Sequence, residues 1–526
     1  MSIEKTEPRE TPSKELTVTR LASVVGTIFL FLGIALYAVN NLGNRYFWGD
    51  EATSFLTSLG YPGVGQRSVD LSNPWSVIEG HIEPGMFNLL ERFWALGFGT
   101  DIVSLRAYPF TLFVVYVVCL LLLSRVVKAP WLLGCAVVSL VLLENITPYY
   151  GVELRPSIAG LAATVALPLV AIWLTISKSK IYGLLIFIPV FMIFGSMQYN
   201  SFPIIIGVAG VLVVGAFKEQ VWSKRIVLLS VALFSLIWLP FVYVLQVGNP
   251  FDLVGGDYFS NIPEAYLPNM TTDEALRTIF TNLFSVTALP RTLFLILLPI
   301  AWIVKRAALP TRESDRGAWG INALWITVFL GTTMSFLAGI LGFLPWILGT
   351  RWSISEVGLI ALSLVGLAGL ISSSRLFGKI SVRAVVLGLS LVLCVVGAVR
   401  MATYERIPGF NWNATLESLL EVDPEKAFVD NWTFVELRYW VEYSGQYDQF
   451  RDAWVNNAVQ VVGGMDQANA GDIETFFASE ADRFLVRSES LLEGIEIPED
   501  FRVERVESWG SDPDLRADQP ILLVRN

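Results

Sequence analysis

Eleven stretches of this 526-residue chain are continuously apolar over lengths close to a bilayer crossing: 21–43, 104–124, 129–145, 156–176, 181–199, 202–217, 226–247, 291–304, 318–342, 355–372 and 383–401. A hydrocarbon core about 30 Å thick takes roughly 20 residues of helix. The runs are continuous rather than alternating, which selects helices over a barrel, because lipid leaves no other way to satisfy the backbone. Composition agrees: 54% of residues are hydrophobic and 16% charged, with a mean hydropathy of +0.56. A soluble domain carries about a quarter charged residues. The expected fold class is therefore an α-helical polytopic membrane protein with about eleven transmembrane helices. An ordinary cytosolic enzyme, a disordered chain and a disulfide-rich module are excluded.

The charges divide the chain. From Ala402 to Asn526 there are 25 acidic and 10 basic residues, whereas the preceding 401 residues hold 22 and 27. With a cytoplasmic N-terminus, the inside segments collect 18 Lys and Arg and the longer outside loops only 8 before residue 400. The positive-inside rule then predicts a multi-pass protein of a plasma or inner membrane, with its N-terminus cytoplasmic and its C-terminal part extracytoplasmic. The expected organisation is a tail over 1–20, a transmembrane domain over 21–401 with outer loops 44–103 and 248–290, and a soluble domain over 402–526. Segments 50–60 and 84–98 have helical apolar spacing but cannot span, and read as helices lying in the outer interface. The soluble part alternates short β-like runs (KAFVDN, ADRFLVRS, FRVERVES, QPILLVRN) with helical ones, as in a small α/β domain. No basic surface for nucleic acid is evident. Cys119, Cys135 and Cys394 lie in apolar runs, where neither a disulfide nor a metal cluster is expected.

The central portions of the spans hold essentially no ionisable residue, so a polar conduit across the midplane is not expected. The charges gather at the outer ends instead. Trp48-Gly49-Asp50-Glu51 follows the first span. Adjacent carboxylates at a helix start diverge, which suits a division of labour between a general base and an orienting group. The same pair also suits an N-cap and a favourable dipole contact, and both roles can hold at once. Glu79-Gly-His81-Ile-Glu83-Pro84 contains the only histidine, which fits a ligand contact, a metal or a satisfied helix entrance. Tyr149-Tyr150-Gly-Val-Glu153-Leu-Arg155-Pro156 and Arg351-Trp352 combine Arg with aromatic residues. That pattern serves either a bound phosphate or interfacial anchoring.

Together these residues resemble the GT-C superfamily of integral-membrane glycosyltransferases. The first span ends in Trp-Gly-Asp50-Glu51, and the long outer loop carries His81-Ile-Glu83-Pro84, close to that family's His-x-Pro element. Leu105-Arg106-Ala-Tyr-Pro109 is similar to its Arg-x-Pro-Ser opening of the second span, and Glu153-Leu-Arg155-Pro156 to the Glu-x-Arg-Pro-Tyr element of the protein O-mannosyltransferase and aminoarabinose-transferase branch. Ser157, Trp352 and Glu83 depart from the branch pattern.

The resemblance implies an inverting transfer of a sugar from a polyprenyl-phosphate-linked donor to a hydroxyl acceptor (glycan, lipid or protein) at the outer membrane face. Asp50 is implied as general base, with Glu51 and His81 orienting acceptor, base or a divalent cation. Arg106, Arg155 and Arg351 are implied to stabilise the departing lipid phosphate. Tyr149, Tyr150, Glu153 and Glu83 are expected to line the substrate site. The resemblance fixes no cofactor; a divalent cation is the candidate, and it is expected on Asp50, Glu51 and His81. The competing classes are a transporter or flippase, which needs a midplane polar route, and a non-catalytic membrane-anchored binding protein.

Overall fold

The computed structural model describes residues 14–43, 49–59, 85–144, 146–198, 201–247, 316–340, 354–374, 380–405, 426–444, 460–462, 470–486, 495–505 and 521–526, with the single positions 377, 419 and 492. The larger part is helical: α1 (Lys14–Asn41), α2 (Gly49–Ser58), α3 (Met86–Phe98), α4 (Ile102–Val126), α5 (Trp131–Leu142), α6 (Ile146–Tyr150), α7 (Ser157–Ile176), α8 (Lys180–Phe194), α9 (Phe202–Lys218), α10 (Trp222–Val247), α11 (Arg316–Ile340), α12 (Ile354–Ser373) and α13 (Ile380–Thr403).

Six of these, α1, α4, α7, α10, α12 and α13, are long and apolar enough to cross a membrane. Hydropathy alone counts eleven stretches, and the shorter helices account for much of the difference. Stretch 129–145 forms a helix of only 12 residues, because Pro130 starts it and the chain turns off after Leu142. Helices α8 and α9 run 15 and 17 residues. Stretch 318–342 corresponds to α11, and 291–304 lies outside the described residues.

Helix α7 is the centre of the bundle, packed by α4, α8, α9 and α12. Its sequence, rich in Ala with Gly160 and Thr164, is buried almost throughout, as expected where small side chains let helix backbones approach. Helix α1 lies along α13, where a Cβ on Gly33 would sit 2.6 Å from the Ala398 Cα. At the other end of α7, Lys180 donates to the carbonyls of Leu174, Thr175 and Ser177 at 3.0, 2.7 and 3.1 Å. This caps the orphan carbonyls of the helix end with a cation. Outward-facing Val385, Leu389, Val392, Val396 and Val399 form an exposed apolar stripe along α13. Such a stripe is stable against lipid and unfavourable against water.

The remaining described elements are β1 (Ala427–Asp430), α14 (Asn431–Glu442), β2 (Gln460–Val462), α15 (Ala470–Ala478), β3 (Arg483–Val486), β4 (Phe501–Arg505) and β5 (Ile521–Arg525). The strands form one mixed sheet in the order β2-β1-β3-β5-β4, with β1 parallel to β2 and β3, and β5 antiparallel to β3 and β4. Alternation along the strands separates two faces. Phe428, Phe484, Ile521 and Leu523 pack with Ile473 and Phe476 of α15, whereas Ala427, Val429, Leu485, Leu522 and Val524 join the cluster that includes α14.

Candidate active site

Helix α2 begins where the sequence places its acidic pair, and Glu51 points into protein. Its side chain is 0% exposed and faces Arg106, which is 1% exposed. Arg106 donates from Nη2 to Glu51 Oε2 at 3.0 Å and from Nε to Oε1 at 3.3 Å. A third donor, the backbone N–H of Leu154, reaches Oε1 at 3.0 Å. A buried ion pair repays its desolvation only with good geometry and further hydrogen bonds, and this one has a fork-on-fork pairing and a backbone donor.

Each partner is delivered by local sequence. Gly99, at φ 100°, ends α3 in a conformation other residues rarely adopt. Asp101 then caps α4, accepting from the N–H groups of Val103 and Ser104 at 3.1 and 3.0 Å, so that Arg106 falls on the second turn. The turn carrying Leu154 is pinned from below. The Tyr37 hydroxyl donates to the Pro148 carbonyl, and a Cβ on Gly151 would lie 2.8 Å from the Tyr37 hydroxyl and 3.2 Å from the Phe113 ring. Within the turn, the Glu153 N–H donates to the Tyr150 carbonyl at 3.3 Å and the Arg155 N–H to the Glu153 carbonyl at 2.7 Å.

Three motifs separated widely in sequence thus meet at one carboxylate: Asp50-Glu51, Leu105-Arg106 and Glu153-Leu154-Arg155. Glu153 and Tyr150 are buried, while Tyr149 is half-buried with its ring edge-on to Tyr150 at 5.1 Å. Asp50 lies in the first turn of α2, but its side chain is outside the described residues, as are His81, Glu83 and Arg351. Among the described residues no three His, Cys, Asp or Glu side chains are grouped to hold a metal. Glu51 is a poor cation ligand here, since both its oxygens already accept from Arg106.

Another buried acid escaped the sequence reading. Glu91 of α3 is 0% exposed; Ser54 Oγ of α2 donates to its Oε2 at 3.2 Å, and its Oε1 has no hydrogen-bond partner among the described residues. Burial pushes its carboxyl well above the usual range, Ser54 pulls the other way, and the negative charge of Glu51 adds to burial. The signal lies in the row Phe87, Glu91, Ala95, spaced by four and buried together on α3. That row is obscured because the opposite face, with Phe93, Leu96 and Phe98 exposed, is apolar as well. Tyr439 of α14 was also missed. It is 0% exposed and lies within electrostatic reach of Arg106, Glu51 and Asp101.

No protein-family description and no curated protein matches the chain. Among solved structures, the oligosaccharyltransferase of Archaeoglobus fulgidus in complex with Zn and sulfate aligns over 89% of this chain and 67% of its own, with 12% identity and a TM-score of 0.46. Its apo form aligns over 91% and 70%, with 12% identity and a TM-score of 0.44. Likeness this distant carries no weight for chemistry, which must come from the side chains themselves.

Proposed function

We propose that the protein is an inverting glycosyltransferase of the GT-C type, moving a sugar from a polyprenyl-phosphate-linked donor to a hydroxyl acceptor at the outer face of the membrane. The observation that carries this reading is that one buried carboxylate, that of Glu51, is held at once by Arg106 and by the Leu154 N–H. It ties the acidic helix to the Arg-bearing turn, the two parts that a base and a phosphate-binding group need to have in register.

In the proposed step Asp50 removes the proton from the acceptor hydroxyl. The freed oxygen attacks the anomeric carbon, the bond from that carbon to the phosphate oxygen breaks with its electron pair, and the lipid phosphate departs. Inversion follows from attack opposite the leaving group. Arg155 and Arg351 are assigned to the departing phosphate. Arg106 works through Glu51, since its Nε and Nη2 are already directed there. His81 is assigned to orienting the acceptor or the base, and Tyr149, Tyr150, Glu153 and Glu83 to the surrounding substrate surface. The donor's tail stays in lipid while its head meets water, so a site at the rim of the bundle suits both ends. Excluding water there protects the donor and strengthens the Arg–phosphate contacts.

A transporter is disfavoured by the described spans, whose charged residues sit near their ends: Arg20 in α1, Arg106 and Arg125 in α4, Lys224 and Arg225 in α10, Glu356 in α12, and Arg383 and Arg400 in α13. The test is transfer by purified protein from a panel of polyprenyl-phosphate sugars, with the product's anomeric configuration read by NMR. Transfer with inversion is expected. Retention of configuration, or movement of the intact lipid-linked donor between leaflets without transfer, contradicts the reading.

A further inference from the structure

Helix α14 belongs to the soluble part of the chain, yet it packs on α2, which carries Asp50 and Glu51. Phe55 lies one turn beyond Glu51 on the same side of α2 and is fully buried. It receives two tyrosine rings edge-on: Tyr439 at 5.6 Å and 86°, and Tyr443, just past the end of α14, at 5.2 Å and 83°. Such edge-to-face pairs have a preferred geometry and so fix orientation as well as distance.

The same two tyrosines hold the start of α4. Thr100 Oγ1 donates to the Tyr443 carbonyl at 3.2 Å, and the Tyr439 hydroxyl to the Thr100 carbonyl at 3.4 Å. Thr100 precedes the cap Asp101, and Arg106 follows on that helix. Helix α2 itself has only 10 residues. Helices shorter than about 12 residues are marginal on their own, so its placement depends on what packs against it. The helices that pack most extensively on it are α3 and α14.

We infer that α14 is a positioning element for the acidic helix: through Tyr439 and Tyr443 the soluble domain sets α2 and the start of α4 together, and with them the Glu51–Arg106 pair. Tyr439 is a positioning residue and touches no reacting atom. The contact stands on the geometry alone, and only its consequence for transfer rests on the function proposed above.

The test uses the full-length protein in detergent, with hydrogen–deuterium exchange followed on peptides covering Gly49–Ser58 and, as reference, Ser157–Ile176. Tyr439→Ala is expected to raise exchange in the first and leave the second unchanged, and Tyr439→Phe, which keeps the ring against Phe55, to restore most of the protection. Unchanged exchange in Gly49–Ser58, or an equal rise in both segments, overturns the inference. In transfer assays Tyr439→Ala is expected to lower kcat by about tenfold to a hundredfold at unchanged donor KM. A raised donor KM with kcat preserved overturns the positioning role. Local loosening of α2 in a protein whose wild-type form transfers no sugar supports the coupling and removes the transferase reading.

Discussion

Glu51 and Glu91 are two carboxylates in one buried neighbourhood, and their surroundings assign them different charges. Glu51 has Arg106 and a backbone N–H, which favour the ionised form. Glu91 is fully buried beside the negative charge of Glu51, and both favour keeping its proton, against the single hydrogen bond from Ser54. The unfolded chain releases that proton near the ordinary value of 4.5, whereas the folded protein retains it to higher pH. The contribution of Glu91 to stability is therefore greatest below that ordinary value and declines as pH rises toward the folded value. Glu91→Gln is expected to flatten this decline, measured as the thermal midpoint in detergent across pH; an unaltered slope contradicts the assignment. Arg106→Ala leaves the Glu51 carboxylate buried without its cation. Removing one partner of a buried pair costs about 3–5 kcal/mol. Replacing both Glu51 and Arg106 by Leu is expected to recover most of that loss in equilibrium unfolding, and a double variant as unstable as the single one argues against a mutual pair. Sequence exposed Glu51, Arg106 and Glu153-Leu154-Arg155 because each stands at the end of an apolar run, where a charge has few other reasons to be. It hid Glu91 and Tyr439, because a helix apolar on both faces conceals its inward row and a pairing across the whole chain leaves no local pattern.

At the scale of elements, the two short helices after the first span were legible from apolar spacing, and α2 and α3 occupy 49–58 and 86–98. Strand β2 was not, since three residues of Gln460-Val-Val carry too little alternation to register. Helix lengths were the least legible feature, because hydropathy continues past Leu142 and Gly195 while the helices do not. Packing between helices depends on small residues in ways that hydropathy does not show. On α13, Ala398 meets Gly33 of α1, whereas a Cβ on Gly388 of the same helix would find nothing within 4 Å. Gly33→Ala is therefore expected to destabilise by about 1–3 kcal/mol through overpacking against backbone that cannot yield. Gly388→Ala is expected to be neutral or stabilising by up to about 1 kcal/mol. Thermal melts of the two variants side by side check this, and equal effects contradict the α1–α13 approach.

At the scale of the molecule, a bundle of long apolar helices and a mixed sheet are joined where α14 meets α2. The orientation rests on charge bias and has a direct check. Glu474, exposed on α15, and Lys178, exposed between α7 and α8, are expected on opposite sides of the membrane. A membrane-impermeant maleimide should label Glu474→Cys in intact cells and Lys178→Cys only after permeabilisation; the reverse pattern inverts the topology. Cys119, Cys135 and Cys394 are buried and leave the background low. The central claim is that the acidic start of α2 performs proton removal at a transferase site. The most direct measurement compares sugar transfer from a purified polyprenyl-phosphate donor by the wild type and by Asp50→Asn at equal amounts of folded protein. General-base removal is expected to lower the rate by about 10²–10⁴-fold with donor binding retained, and transfer by Asp50→Asn at the wild-type rate would contradict the account.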